Sequence, residues 1–287
     1  MLIKEFFKQK KPVISFEVFP PTRNYNLDSI YSTIEALKAL NPDFISVTYG
    51  AGGGTKDHTV EIASIIKNKY KIESLAHLTC VSAKKQEIIQ IAKELNENNI
   101  ENVLALRGDL PSDPNFKFPT PLHYKYASDL IEELNHRYNF CIGAAFYPEG
   151  HIEAENFETD LKYVKFKVET GACFLISQIF FDNTYFYHFK DRFEEMGLKI
   201  PLSAGIMPVT NAKQMNRITT LCGSTIPRKL SKIIAKNHQN PLKLQNEGIY
   251  YAAQQINDLI ANGVDGIHIY TMNRPEIAKK ILEKVNL

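Results

Sequence analysis

The stretch Val103-Leu104-Ala105-Leu106-Arg107-Gly108-Asp109-Leu110-Pro111 is an apolar run that ends abruptly in a cation, a glycine and a carboxylate. A short apolar run bounded by polar residues reads as a buried strand. Gly108 lets the backbone turn or approach a ligand closely, and Pro111 keeps the strand from continuing. Arg107 and Asp109 are therefore expected where a strand leaves a sheet. Alone, such a tripeptide reads as a surface ion pair closing a turn, because short motifs carry little information. The other strand ends give it meaning.

Outward from this stretch, apolar runs alternate with amphipathic segments. Strands are predicted over 13–19, 44–48, 74–79, 102–106, 140–146, 173–178, 201–206 and 266–270. Helices are predicted over 27–40, 59–69, 84–97, 123–137, 157–169, 183–196, several stretches within 211–262, and 274–285. About eight strand–helix units is the count of a (β/α)8 TIM barrel, here an α/β fold in a single domain over residues 1–287. A doubly wound sheet, the structural rival, usually carries a phosphate loop after its first strand. Here that strand ends in Phe19-Pro20-Pro21, which cannot cradle a phosphate. Residues 1–11 read as a short amphipathic helix over one end of the barrel, its apolar run too short for a signal peptide or a membrane span. The longest irregular segment, 112–122, follows the Arg-Gly-Asp strand directly, where long loops commonly carry function.

Hydrophobic content of 44% and charge of 23% are ordinary for a globular protein and exclude neither enzyme nor binding module. A net charge of +2 without a basic stripe argues against a nucleic-acid partner. Nothing points to a membrane, and a cytoplasmic location is expected. Cys80, Cys141, Cys173 and Cys222 are scattered without a CxxC pair, so reduced thiols are expected and no metal site.

A barrel gathers the C-terminal ends of its strands on one face. In Ile14-Ser15-Phe16-Glu17-Val18, Ser15 and Glu17 share one side of the strand and the apolar residues the other. The remaining ends offer Thr48-Tyr49, His77, Arg107 to Asp109, Tyr147-Pro148-Glu149, Gln178 to Asp182, Gly205 with Gln214 beyond, and Tyr270 with Asn273 and Arg274. A glutamate inside an apolar strand costs free energy unless it is paired or used. The glycine-rich segment 50–56 lacks the Gly-Lys-Ser/Thr ending of a P-loop and reads as a flexible loop. Phe180, Phe181, Tyr185, Phe186 and Phe189 lie at mostly helical spacing and read as core.

Nine segments in order resemble the methylenetetrahydrofolate reductase family: Ser15-Phe-Glu-Val-Phe-Pro-Pro21, Ser46-Val-Thr-Tyr-Gly50, His77-Leu-Thr-Cys80, Leu106-Arg-Gly-Asp-Leu-Pro111, Tyr124-Lys-Tyr-Ala-Ser-Asp129, Ala145-Phe-Tyr-Pro-Glu149, Gln178-Ile-Phe-Phe-Asp182, Gly205-Ile-Met-Pro208 and Tyr270-Thr-Met-Asn-Arg274. The resemblance implies a barrel with FAD at its mouth that reduces 5,10-methylenetetrahydrofolate to 5-methyltetrahydrofolate. NADH or NADPH would reduce the flavin first, in ping-pong order, within one-carbon metabolism and methionine supply. It also implies a homo-oligomer and, for a chain ending at Leu287, no C-terminal regulatory domain of the eukaryotic kind.

By position, the resemblance makes Glu17 the general acid and Asp109 the carboxylate between flavin and pterin. Gln178, Gln214 and Arg274 become substrate-side groups, together with Asp109. Thr48, Tyr49, His77, Arg107, Gly108, Asp109, Tyr126, Ala127, Tyr147, His151, Asp160 and Lys167 become cofactor contacts. Arg107 and Lys167 suit a pyrophosphate, and desolvation at a barrel mouth favours the protonated carboxyl that an acid needs. Three features depart from the family pattern: the long 112–122 loop, the aromatic Tyr163 and Phe166 where relatives can be polar or basic, and Ile218 in place of an aromatic. Two rivals remain. A flavin-free methyl-transferring pterin barrel would need a thiolate or cobalamin partner. A non-enzymatic folate or flavin binder would have no use for a buried-face glutamate.

Overall fold

Eight runs of branched and aromatic residues form parallel strands in a computed structural model of the protein, which describes residues 1–21, 28–49, 56–111, 113 and 115–287. They are β1 Val13–Val18, β2 Phe44–Val47, β3 Glu73–Thr79, β4 Asn102–Leu106, β5 Cys141–Phe146, β6 Phe174–Ser177, β7 Leu202–Ile206 and β8 Gly266–Tyr270. Each pairs with its neighbour in sequence, and β8 closes on β1, so the sheet is a barrel. The helices are α1 Ile3–Gln9, α2 Asp28–Lys38, α3 Lys56–Ser64, α4 Lys85–Glu97, α5 Ala127–Arg137, α6 Phe157–Thr170, α7 Asn183–Glu195, α8 Ala212–Cys222, α9 Arg228–Asn237, α10 Pro241–Ala261 and α11 Pro275–Leu282. Among the described residues no helix is long and apolar enough to cross a membrane.

Most boundaries shift by one to three residues from the sequence reading, and three of the differences have a clear local reason. The helix expected over 59–69 runs as α3 and then widens into a π-helical turn, Ile65–Lys69. The helix expected from 123 starts at Ala127, because the Asp129 carboxylate accepts the N–H groups of Lys125 (2.7 Å) and Tyr126 (2.9 Å) and caps α5 there. The first strand stops at Val18, because Phe19 is taken by Asn273, whose Oδ1 accepts the Phe19 N–H (3.0 Å) and whose Nδ2 donates to its carbonyl (2.8 Å).

Strand alternation separates two cores. Ile14, Phe16 and Val18 face the helices, within the large layer that also buries Phe180, Phe186 and Phe189. Of the aromatic stripe, Phe181 packs instead in a satellite cluster and Tyr185 is half-buried. Phe44, Leu75, Leu104 and Phe174 fill the interior at the N-terminal ends of the strands, where Ile3 and Phe7 of α1 plug the barrel. Gly143 makes this filling possible, since a Cβ there would lie 2.5 Å from the Phe174 ring. Asn102 Oδ1 accepts the Ile3 N–H (2.8 Å), satisfying an otherwise unpaired amide at the start of α1. Around the plug, Lys67 and the Met1 amine share the carboxylates of Glu73 and Glu101.

Candidate active site

At the other end the barrel interior turns polar. The register sets Ser15 beside His268, and Glu17 beside Ser46 on one side and Tyr270 on the other. Ser15 Oγ lies 2.7 Å from His268 Nδ1, and Ser46 Oγ lies 3.4 Å from His268 Nε2. Glu17 Oε2 sits between two imidazoles, 3.6 Å from His268 Nε2 and 3.6 Å from His77 Nε2. His77 is buried and its Nε2 has no hydrogen-bond partner. Desolvation holds its pKa down at about 4, against the pull of Glu17, so the ring is neutral at physiological pH.

The backbone under Glu17 is fixed from β8. Thr271 Oγ1 donates to the Glu17 carbonyl at 2.6 Å, and Met272 and Asn273, both at φ 54, turn the chain in left-handed geometry so that Asn273 reaches Phe19. Tyr270 crosses the interior and donates to the Ser177 carbonyl at 2.8 Å; burial pushes its phenol pKa well up. The space for that ring comes from Gly205, where a Cβ would lie 2.7 Å from Tyr270 Cε2.

A second cluster forms between the ends of β4 and β5 and the face of α6. Arg107 makes a two-pronged pair with Glu153, Nη1 to Oε2 at 2.5 Å and Nη2 to Oε1 at 3.0 Å. His151 is held by its own N–H, which donates to Asp160 Oδ2 (3.1 Å), and by its Nδ1, which accepts the Glu153 N–H (3.0 Å). The Tyr147 ring meets His151 edge-on, and burial raises the Tyr147 phenol to about 12 although Gln178 lies within hydrogen-bonding reach. Asp160 is buried, and desolvation raises its carboxyl pKa. Lys167 Nζ donates to the neutral Ala145 carbonyl at 2.8 Å, and burial lowers its pKa. A largely buried ammonium whose acceptor is a neutral carbonyl fits an anionic ligand arriving from the mouth. Gly108, at φ +83, packs where a Cβ would fall 2.8 Å from Thr79 Cβ, so the Arg-Gly-Asp turn requires glycine.

A family model described as methylenetetrahydrofolate reductase matches residues 2–286. The chain belongs to the methylenetetrahydrofolate reductase family. Among members, the 5,10-methylenetetrahydrofolate reductase of Escherichia coli is 35% identical over 268 residues, 93% of this chain and 88% of that one. Methylenetetrahydrofolate reductase (NADH) 1 of Arabidopsis thaliana is 33% identical over 296 residues, 99% of this chain and 50% of the relative. The chain thus spans about half the length of its plant relatives. In solved structures, a Clostridium thermocellum protein described as binding two copies of 5-methyl-5,6,7,8-tetrahydrofolic acid superimposes with a TM-score of 0.68 at 16% identity, covering 99% of this chain and 98% of that one. That likeness supports the fold.

The structure gathers most of the residues singled out by the family motifs, and sets some apart. Glu17 and His77 meet at the interior, and Arg107, Tyr147, His151, Asp160 and Lys167 line the second cluster. Asp109 is exposed on the rim, close enough to Arg107 and Tyr147 to influence their ionisation. Arg274, at the start of α11, is held by Glu276 at 3.0 Å. Tyr126 lies at the start of α5 and stacks on Tyr163 of α6, and Ala127 is buried beneath it. Thr48 takes part through its backbone, its N–H donating to Val18 and its carbonyl accepting from Thr59. Tyr49 is a correction: it falls in phase with Ile45 and Val47, so its ring packs on the outer core instead of the mouth. Ile218 joins a satellite cluster with Met207 and Met215. The side chain of Gln214 and the glycine-rich residues 50–55 lie outside the described residues.

Motif matching in this family missed His268 and Glu153. His268 carried a signal, since it stands between Ile267 and Ile269 in an apolar strand, just as Glu17 stands between Phe16 and Val18. Glu153 carried none, as its partner Arg107 is 46 positions away.

Proposed function

We propose that this chain reduces 5,10-methylenetetrahydrofolate to 5-methyltetrahydrofolate, with NADH or NADPH as electron donor in ping-pong order and FAD held at the barrel mouth. The observation that carries the reading is Glu17, whose Oε2 lies 3.6 Å from each of two histidine Nε2 atoms at the polar end of a barrel of this family. Opening the one-carbon bridge requires a proton on the folate nitrogen that leaves, and Glu17 is the acid that delivers it. His77, neutral down to about pH 4, is too weak a base to take that proton away. His268, with Ser15 Oγ 2.7 Å from its Nδ1 and Ser46 Oγ 3.4 Å from its Nε2, is held with its ring beside Glu17. Flavin, when bound, supplies the hydride that the opened iminium carbon accepts.

Arg107 and Lys167 are the cations for the cofactor's diphosphate. Tyr147 and His151 wall its approach, with Asp160 holding the His151 backbone at 3.1 Å. Gly108 allows close approach of the backbone, and Thr48, Tyr126 and Ala127 complete the cofactor side. Asp109, exposed on the rim near Arg107 and Tyr147, is the carboxylate felt by both ligands. Gln178, Gln214 and Arg274 serve the folate side. The chain is proposed to work as a homo-oligomer in the cytoplasm.

The purified protein is expected to be yellow and to release FAD on denaturation, identified by mass. With NADH or NADPH it should convert methylenetetrahydrofolate to methyltetrahydrofolate. A protein that stays colourless after reconstitution contradicts the cofactor assignment. A flavoprotein oxidised by oxygen but not by the folate contradicts the substrate assignment.

A further inference from the structure

We propose that Glu153 is an internal competitor for the cofactor's diphosphate. Its carboxylate occupies the Arg107 fork that the diphosphate needs, and it makes the diphosphate the part of a flavin nucleotide that is selected. The inference rests on the flavin reading above and deepens it.

The geometry is that of an anion already bound. Glu153 presents both oxygens to both terminal nitrogens of Arg107, at 2.5 and 3.0 Å, while Nε donates to the Gly108 carbonyl at 3.3 Å. Bidentate pairing of this kind is how guanidinium groups hold phosphates as well as carboxylates. The paired edge is therefore closed to a second anion until Glu153 leaves. Nearby, Lys167 and Arg107 stand against Asp160 and Glu153, so the cluster comes close to neutral and offers little excess attraction to an arriving anion.

The two partners differ in freedom. The Glu153 side chain is 50% exposed, against 24% for Arg107. Arg107 is anchored at the end of β4, whereas Glu153 sits in the turn after β5, just past Gly150 at φ +87. Glu153 swings into water more readily than Arg107, whose Nε is also tied to the Gly108 carbonyl at 3.3 Å. Exposed ion pairs are worth little, so a diphosphate with two charges and several acceptor oxygens displaces the carboxylate. A flavin without phosphate does not, and one with a single phosphate does so less well. Glu153 thus acts on Arg107 as a specificity-determining residue without touching the flavin ring.

The test uses the full chain and its Glu153→Gln variant, with inorganic pyrophosphate, FAD and riboflavin as separate probes in equilibrium titrations. The substitution keeps the size of an exposed side chain, and a thermal melt checks that the fold is kept. The variant is expected to bind pyrophosphate and FAD about two- to fivefold more tightly, with riboflavin unchanged. In an Arg107→Gln background the same change should give no gain, which places the effect at Arg107, while its sign separates competition from support. Equal or weaker binding of pyrophosphate and FAD by Glu153→Gln overturns the proposal, since Glu153 would then orient Arg107 for the ligand. Tighter pyrophosphate with no FAD binding by either protein upholds the competitor and removes the flavin reading. Binding of neither probe by either protein overturns both.

Discussion

The two ends of this barrel are built from the same eight strands and have opposite chemistry. At the lower end Phe44, Leu75, Leu104 and Phe174 pack against α1, and the surrounding charges are matched, with Lys67 and the Met1 amine on Glu73 and Glu101. At the mouth Glu17, His77 and His268 crowd together with contacts of 3.6 Å that fall short of hydrogen bonds, and His77 Nε2 has no partner. Burying such groups costs stability. The difference teaches that the lower end supplies the packing that lets the mouth keep polar groups in an arrangement that is unfavourable for folding and useful for chemistry. Barrel enzymes in general divide their ends in this way.

The comparison breaks most readily at the plug. Phe174→Ala should lower stability to chemical denaturation by about 3–5 kcal/mol, because its ring is fully buried and fills the space over Gly143, which has no side chain to replace it. Flavin content per folded molecule should stay unchanged. A loss below about 1 kcal/mol would mean that the lower end does not carry the packing assigned to it.

The mouth sharpens the comparison through pH. His77 has a folded pKa near 4 against 6.5 for an ordinary histidine. The unfolded chain therefore takes up a proton on this residue before the folded one does, and stability falls as pH drops from 6.5 toward 4. The slope from this group approaches 1.4 kcal/mol per pH unit, for a total of roughly 3 kcal/mol. His77→Gln should flatten that part of a stability-against-pH curve while leaving the region above pH 7 with the wild-type slope. An unchanged curve would mean that His77 titrates in the folded protein as it does in the unfolded chain.

Gly205→Ala should cost about 1–3 kcal/mol, since its Cβ would lie 2.3 Å from the Ser177 carbonyl and 2.7 Å from Tyr270. The Tyr270 ring must shift, so folate affinity should fall with it; intact affinity in a folded variant would remove Tyr270 from the mouth. The smallest effect belongs to the rim of the plug. Lys67→Met should cost about 1 kcal/mol, because the Met1 amine still pairs with both carboxylates, and 1 M salt should shrink the part of the loss that comes from the exposed Glu101.

How much of this was legible beforehand follows from where each signal resides. β4 and β8 match the sequence reading residue for residue, because their apolar runs are short and sharply bounded. Glu17 was legible as an anomaly of alternation, and the same rule applied to Gly266-Ile-His-Ile-Tyr270 reaches His268. It also places Tyr49 on the outside, in phase with Ile45 and Val47, where motif matching had placed it at the mouth. The start of α5 depended on a side chain, Asp129, that accepts two backbone N–H groups ahead of the helix. Propensity alone does not register that. The Arg107–Glu153 pair joins two loops that become neighbours only when β4 and β5 align, so no local pattern announces it.

The central claim is that Glu17 supplies the proton for the folate step and takes no part in reducing the flavin. Glu17→Gln keeps the shape of the side chain and removes the acid, and stopped-flow absorbance at the flavin band reads each half-reaction alone. The account predicts that flavin reduction by NADH or NADPH stays within about threefold of wild type, while reoxidation by methylenetetrahydrofolate slows by at least about 10²-fold. Equal slowing of both half-reactions would contradict it and leave Glu17 as a structural carboxylate at the barrel mouth.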